Sequence, residues 1–174
     1  MRSLFLRLQV GAHLAVAAIG VSAGAQGAPP AQPSCLTALS GEWRGPGIVL
    51  GRSIVMDQRW APAISGAFTG LTMRHFASNS STVPSFEGRG FYRMIGVRAP
   101  DSLAGTWLDM RGLTFSIAGS CNGETMSSHW SGPAERGRTM YVLDGDELVV
   151  IDSVFPASGG GREFGRSRLR RSPR

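Results

Sequence analysis

From residue 41 onward, apolar and polar side chains alternate in short runs separated by turn residues. No stretch of 12 residues there keeps the 3.6-residue period of a helix. The runs are 42–50 (EWRGPGIVL), 53–61 (SIVMDQRWA), 66–76 (GAFTGLTMRHF), 86–98 (FEGRGFYRMIGVR), 103–109 (LAGTWLD), 112–118 (GLTFSIA), 124–131 (ETMSSHWS), 137–143 (GRTMYVL), 147–155 (ELVVIDSVF) and 162–171 (REFGRSRLRR). Breaks such as "GSCNG" (119–123), "GPAER" (132–136) and "PASGGG" (156–161) are rich in turn formers, and "LDGDEL" (143–148) carries the Asp-Gly pair of a tight hairpin. One helical turn is expected at "CLTALSG" (35–41), and the one long polar loop at "ASNSSTVPS" (77–85). Strands at this spacing predict an all-β fold, an antiparallel up-and-down β-barrel of about ten strands.

Alternation also sorts each run into two files. Phe68, Gly70, Thr72, Arg74 and Phe76 share one; Met126, Ser128 and Trp130 oppose Thr125, Ser127 and His129; Phe164, Arg166, Arg168 and Arg170 share another. The pattern leaves open which file faces the lumen. An eight-stranded barrel can already hold a small ligand, so one of about ten has the room.

Ahead of the strands, residues 1–25 read as a secretory signal: Arg2 and Arg7, then an apolar run of small residues, then Ala23-Gly24-Ala25 as a cleavage site. Residues 26–34 form a flexible Pro/Ala leader, 35–171 the barrel domain, and 172–174 a disordered basic end. Export to a secreted, periplasmic location favours one disulfide between Cys35 and Cys121, with two unpaired buried thiols as the alternative.

The formal charge of +6 comes from the two ends of the chain. All 18 basic residues are arginine, which reflects GC-rich codon usage before any function. Arg2, Arg7, Arg166, Arg168, Arg170, Arg171 and Arg174 account for seven; the 11 that remain meet 12 acids. A nearly neutral body argues against nucleic acid as a partner.

"LSGEWRGPG" (39–47), "FEGRGFYR" (86–93), "GTWLDMRG" (105–112) and the basic last strand together resemble the lipocalin-like (calycin) barrels. The similarity covers most of 36–171 and is closest to ten-stranded bacterial families, a secreted one of unassigned function distantly related to nitrobindin among them. The resemblance implies that an arginine of the closing strand, Arg168 or Arg170, stacks on Trp43 of the G-x-W motif, a cation–π contact of roughly 1–2 kcal/mol. The nitrobindin branch holds haem through a histidine near its end; this chain has no histidine after His129, and no haem ligand carries over. No cofactor is expected.

The candidate lumen residues are Trp43, Trp60, Phe68, Phe91, Trp107, Phe115, Trp130 and Tyr141, with Arg74, Asp109 and His129 as polar anchors. Asp109 has two readings: a lumen carboxylate beside Trp107 and Arg111, or a hairpin corner that satisfies backbone N–H groups. Glu87 is expected to pair with arginines of neighbouring strands. His75 and His129 lie in no metal-ligand spacing, no G-x-S-x-G elbow supports a serine nucleophile, and the glycine-rich stretches lack a P-loop Lys-Ser/Thr; no metal or catalytic residue is expected. The leading expectation is a binding protein that carries a small, mostly apolar or amphipathic molecule in its lumen. The alternatives are a non-catalytic envelope protein with a filled barrel, whose basic end touches anionic surfaces weakly, and a lumen-based hydrolase or isomerase.

Overall fold

The computed structural model describes residues 34–96 and 101–173. The expected signal peptide (1–25) and all of the leader but Ser34 lie outside the described residues, as does Arg174. Ser34 caps a short helix, α1 (Cys35–Leu39), its Oγ accepting from the Thr37 N–H. Ten strands follow: β1 (Gly41–Val49), β2 (Arg52–Ala63), β3 (Phe68–Phe76), β4 (Phe86–Met94), β5 (Asp101–Asp109), β6 (Thr114–Asn122), β7 (Thr125–Ser131), β8 (Arg136–Asp144), β9 (Glu147–Val154) and β10 (Arg162–Arg171). Each pairs antiparallel with its sequence neighbours, and β10 pairs with β1, so the sheet closes into an up-and-down barrel. Closure leaves no sheet edge exposed.

Every expected run holds a strand, although β4 ends at Met94, short of the expected 98, and residues 97–98 lie outside the described residues. One expected break is not a break: β6 runs through "GSCN", and the chain turns at Gly123. The Asp-Gly hairpin forms as expected, with Gly145 at φ +58°. Cys35 and Cys121 are joined by a disulfide with Cα atoms 5.7 Å apart, which ties α1 to the end of β6.

The register decides what faces in, because directly paired residues share a side of the sheet. Trp60 pairs with Leu71, Gln58 with Met73 and Met56 with His75, so the inner file of β3 is Leu71, Met73 and His75. The opposite file, including Phe68 and Arg74, is therefore on the outer wall and does not enter the lumen. Phe91 is on the outer wall too, paired with Gly70 and Thr106. His129 points out beside Trp130, which points in; its imidazole stacks over the Phe155 ring at 6.5 Å. These four expected lumen residues are corrected by the same fact: the strand period is two, and one residue of phase reverses every side chain.

The closing strand brings a further correction. Leu169 pairs with Leu148 and Ser167 with Val150, which puts odd positions inside. Arg168 and Arg170 thus face solvent, Arg168 paired with Glu147. Arg171 lies over Trp43, its guanidinium carbon 4.1 Å from the ring centre.

One end of the barrel is packed solid. Trp43, Met56, Trp60, Leu71, Leu103, Met126, Leu148 and Leu169 are buried there, covered by Cys35, Leu36 and Leu39 of α1. The Trp43 indole N–H donates to the Leu39 carbonyl at 2.8 Å, fixing the helix against the barrel.

Candidate functional site

The other end is hollow. A cavity of about 500 Å³ opens among the β1–β2, β5–β6, β7–β8 and β9–β10 hairpins, which bring Leu50, Arg111, Glu135 and Arg162 to its mouth. Its floor is Tyr92 and Tyr141, whose rings rest on the buried Trp60 at 5.4 and 5.2 Å between centroids. Its walls carry Met73, Phe86, Trp107, Phe115, Ile117 and Trp130, with Phe115 and Trp130 edge to face at 5.5 Å. A volume of this size with a mostly apolar wall suits a small organic molecule.

Glycines set where the large rings lie. A Cβ at Gly88 would stand 2.0 Å from Cζ2 of Trp107, and one at Gly137 would stand 2.2 Å from Cζ2 of Trp130. Each indole therefore lies across a neighbouring strand at a place that only glycine leaves free, instead of projecting to fill the lumen. At β10 a bulge between Glu163 and Gly165 inserts one residue into the pairing, and the extra residue, Phe164, joins the cavity lining.

Polar groups enter the apolar wall at few places. On β9, Asp152 is 8% exposed and accepts a 2.6 Å hydrogen bond on Oδ1 from the Thr139 hydroxyl of β8. Burial lifts its carboxyl to about 6 against the opposing Thr139 hydrogen bond, and the charge of Glu163 adds to the rise. His75, also 8% exposed, packs tilted against Phe86 with ring centroids 5.0 Å apart, and its Nε2 is buried without a partner among the described residues. Burial lowers it to about 4, so the imidazole is neutral at pH 7. Burial likewise raises the Tyr92 phenol to about 12, although Tyr141 and Ser128 hydrogen-bond to it. Both tyrosines are neutral hydrogen-bonding groups on the floor.

At the mouth, Asp109 combines the two expected readings. It closes the β5–β6 turn, accepting from the Arg111 backbone N–H at 2.9 Å, and it borders the cavity. Arg111 Nη2 lies 2.6 Å from Asp109 Oδ2 and 3.1 Å from Glu135 Oε1. Burial pushes the Asp109 carboxyl upward, but the hydrogen bonds and charge of Arg111 outweigh it and hold it below its ordinary range.

Of the residues expected in the lumen, the structure brings Trp107, Asp109, Phe115, Trp130 and Tyr141 to the cavity. Trp43 and Trp60 face inward but belong to the packed end. Phe68, Arg74, Phe91 and His129 are outside. Glu87 pairs with Arg74 at 3.2 Å and Arg89 at 3.6 Å on the outer wall, the cross-strand pairing expected of it. Sequence reasoning missed Met73, His75, Phe86, Tyr92, Asp152 and Phe164. Only Asp152 had a readable signal, a lone acid inside the apolar run "ELVVIDSVF".

No family model matches the chain, and no curated protein matches it. Among solved structures, it is similar to the crystal structure of Rv2717c from M. tuberculosis, at 16% identity with a TM-score of 0.63, over 79% of this chain and 95% of that one. At that identity the likeness extends to the barrel fold.

Proposed function

We propose that this is a secreted, periplasmic binding protein of the lipocalin-like kind, which carries a small, mostly apolar molecule in its lumen. The single observation behind this reading is the cavity of about 500 Å³ above the Tyr92–Tyr141 floor, walled largely by aromatic side chains. A barrel with a purely structural role gains nothing from such a space, since filling it with side chains adds about 25 cal/mol for each Å² of apolar surface buried. The secretory signal read at residues 1–25 and the Cys35–Cys121 disulfide both support an oxidising location.

Native mass spectrometry of protein purified from its own host tests the proposal. The expected spectrum carries a small-molecule adduct that is lost on denaturation. No adduct, together with no quenching of tryptophan fluorescence by naphthalene-sized apolar probes, overturns it.

A further inference from the structure

The chemistry inside the cavity narrows the ligand class beyond "apolar"; this inference rests on the binding reading above. Asp152 is a buried carboxylate with one hydrogen-bond donor, Thr139, on Oδ1. Its Oδ2 lies near the Gly165 backbone and accepts from no side chain among the described residues. Among the described residues, no cation acts on it. Arg111 is engaged by Asp109 and Glu135, and Arg162 is exposed at the mouth. The charged neighbour that acts on Asp152 is Glu163, of the same sign. Removing a carboxylate from water without a counter-charge is expensive, and a ligand that brings the counter-charge recovers that cost.

The surroundings fit a cation in shape and electronics. Trp107, Phe115, Trp130, Tyr92 and Tyr141 turn aromatic surface toward the same space, and the negative faces of such rings attract organic cations. His75 adds no positive charge there: its Nε2 is unpartnered, and burial keeps the ring neutral. A ligand carboxylate would meet a second carboxylate inside, and among the described residues that line the cavity the arginine without an ion pair is Arg162, at the rim.

We propose that the cavity selects an organic ammonium, an apolar aromatic-sized body whose protonated amine pairs with Asp152 Oδ2, over neutral or anionic molecules of the same shape.

The test uses the mature protein and three probes of one shape: 2-naphthylmethylammonium, 2-naphthylmethanol and 2-naphthylacetate, titrated by calorimetry at pH 8. The ammonium is expected to bind at least tenfold more tightly than either of the others. Asp152→Asn should bring it within about threefold of the alcohol. A second arm needs no mutation: lowering the pH of the wild type to 5 protonates Asp152 and should erase the same preference. The groups that act on Asp152 are Thr139 and Tyr141 from β8, Glu163 from β10 and Tyr92 from β4 across the lumen. The tyrosines stay neutral over that range, and Arg166 holds Glu163 below its ordinary value. An ammonium no tighter than the alcohol, a tighter acetate, or a preference that survives both Asp152→Asn and pH 5 overturns this inference and leaves the cavity reading standing. If none of the three probes binds, this inference falls, and the binding reading falls with it when the native mass spectrum also shows no adduct.

Discussion

The guanidinium of Arg171, the last residue of β10, lies 4.1 Å above the indole of Trp43 and also donates to the carbonyls of Ser40 and Ala38. One side chain thus joins the closing strand, the first strand and the carboxyl end of α1. Arg171→Ala should lower the free energy of unfolding by about 2–4 kcal/mol, the sum of a shielded cation–π contact and charge-assisted hydrogen bonds. Arg168→Ala and Arg170→Ala, both on the solvent face, should each change it by less than about 0.5–1 kcal/mol. Urea denaturation of the three variants compares them directly.

The Cys35–Cys121 bond closes a loop with a sequence separation of 86 residues. In the chain-entropy model a loop of that size stabilises by roughly 4–5 kcal/mol. Cys35→Ala/Cys121→Ala should therefore melt well below the wild type, and free-thiol titration of the unreduced, denatured wild type should find none. Two titratable thiols would contradict the bond.

Asp152 makes the empty barrel less stable at alkaline pH. Its carboxyl sits at about 6 in the folded state against 3.8 for the ordinary group. The stabilisation is fully present below pH 3.8, where both states are protonated, and is lost as the pH rises through 6. Asp152→Asn should raise the unfolding free energy of the ligand-free protein at pH 8 by about 2–3 kcal/mol. The gain should shrink toward zero near pH 3.8. Denaturation midpoints across pH 4–8 give the comparison.

His75 acts in the opposite sense. Burial lowers it from 6.5 to about 4, so the unfolded chain takes up the proton first as the pH falls. Its stabilising effect is complete above pH 6.5 and drains away toward pH 4, a loss of about 3 kcal/mol. Because Asp152 and His75 act with opposite sign over nearly the same window, about pH 4 to 6.5, their slopes largely cancel in the wild type, and His75→Phe should uncover the fall in stability with rising pH that Asp152 sets. The two variants measured over one pH series separate the contributions.

Gly88 tests the shape of the cavity wall. A methyl group there meets the Trp107 ring at 2.0 Å, within a buried, rigid setting. Gly88→Ala should displace the indole into the lumen, destabilise the fold by about 1–3 kcal/mol and weaken binding of the naphthyl probes. Gly112→Ala is the useful contrast: its Cβ would meet nothing within 4 Å, so its cost is the strain of φ +77° alone, with probe binding intact.

The barrel was legible in the chain because strand formation is written locally. Alternation, β-branched runs and Gly/Pro/Asp breaks recur at every strand, and "LDGDEL" needs no distant partner to turn. Files of residues were legible for the same reason: Phe68 and Arg74 do share a side, as do Ser128 and Trp130. Their direction was not, because each file could face either way. Only the ring of pairings, closed when β10 meets β1, chooses the phase that puts His75 inside and His129 outside, and Arg171 on Trp43 in place of Arg168 or Arg170. The cavity depends on more still. Trp107 and Trp130 leave it open because Gly88 and Gly137, on other strands, let them lie flat, and no periodicity within one strand records a space shared by several.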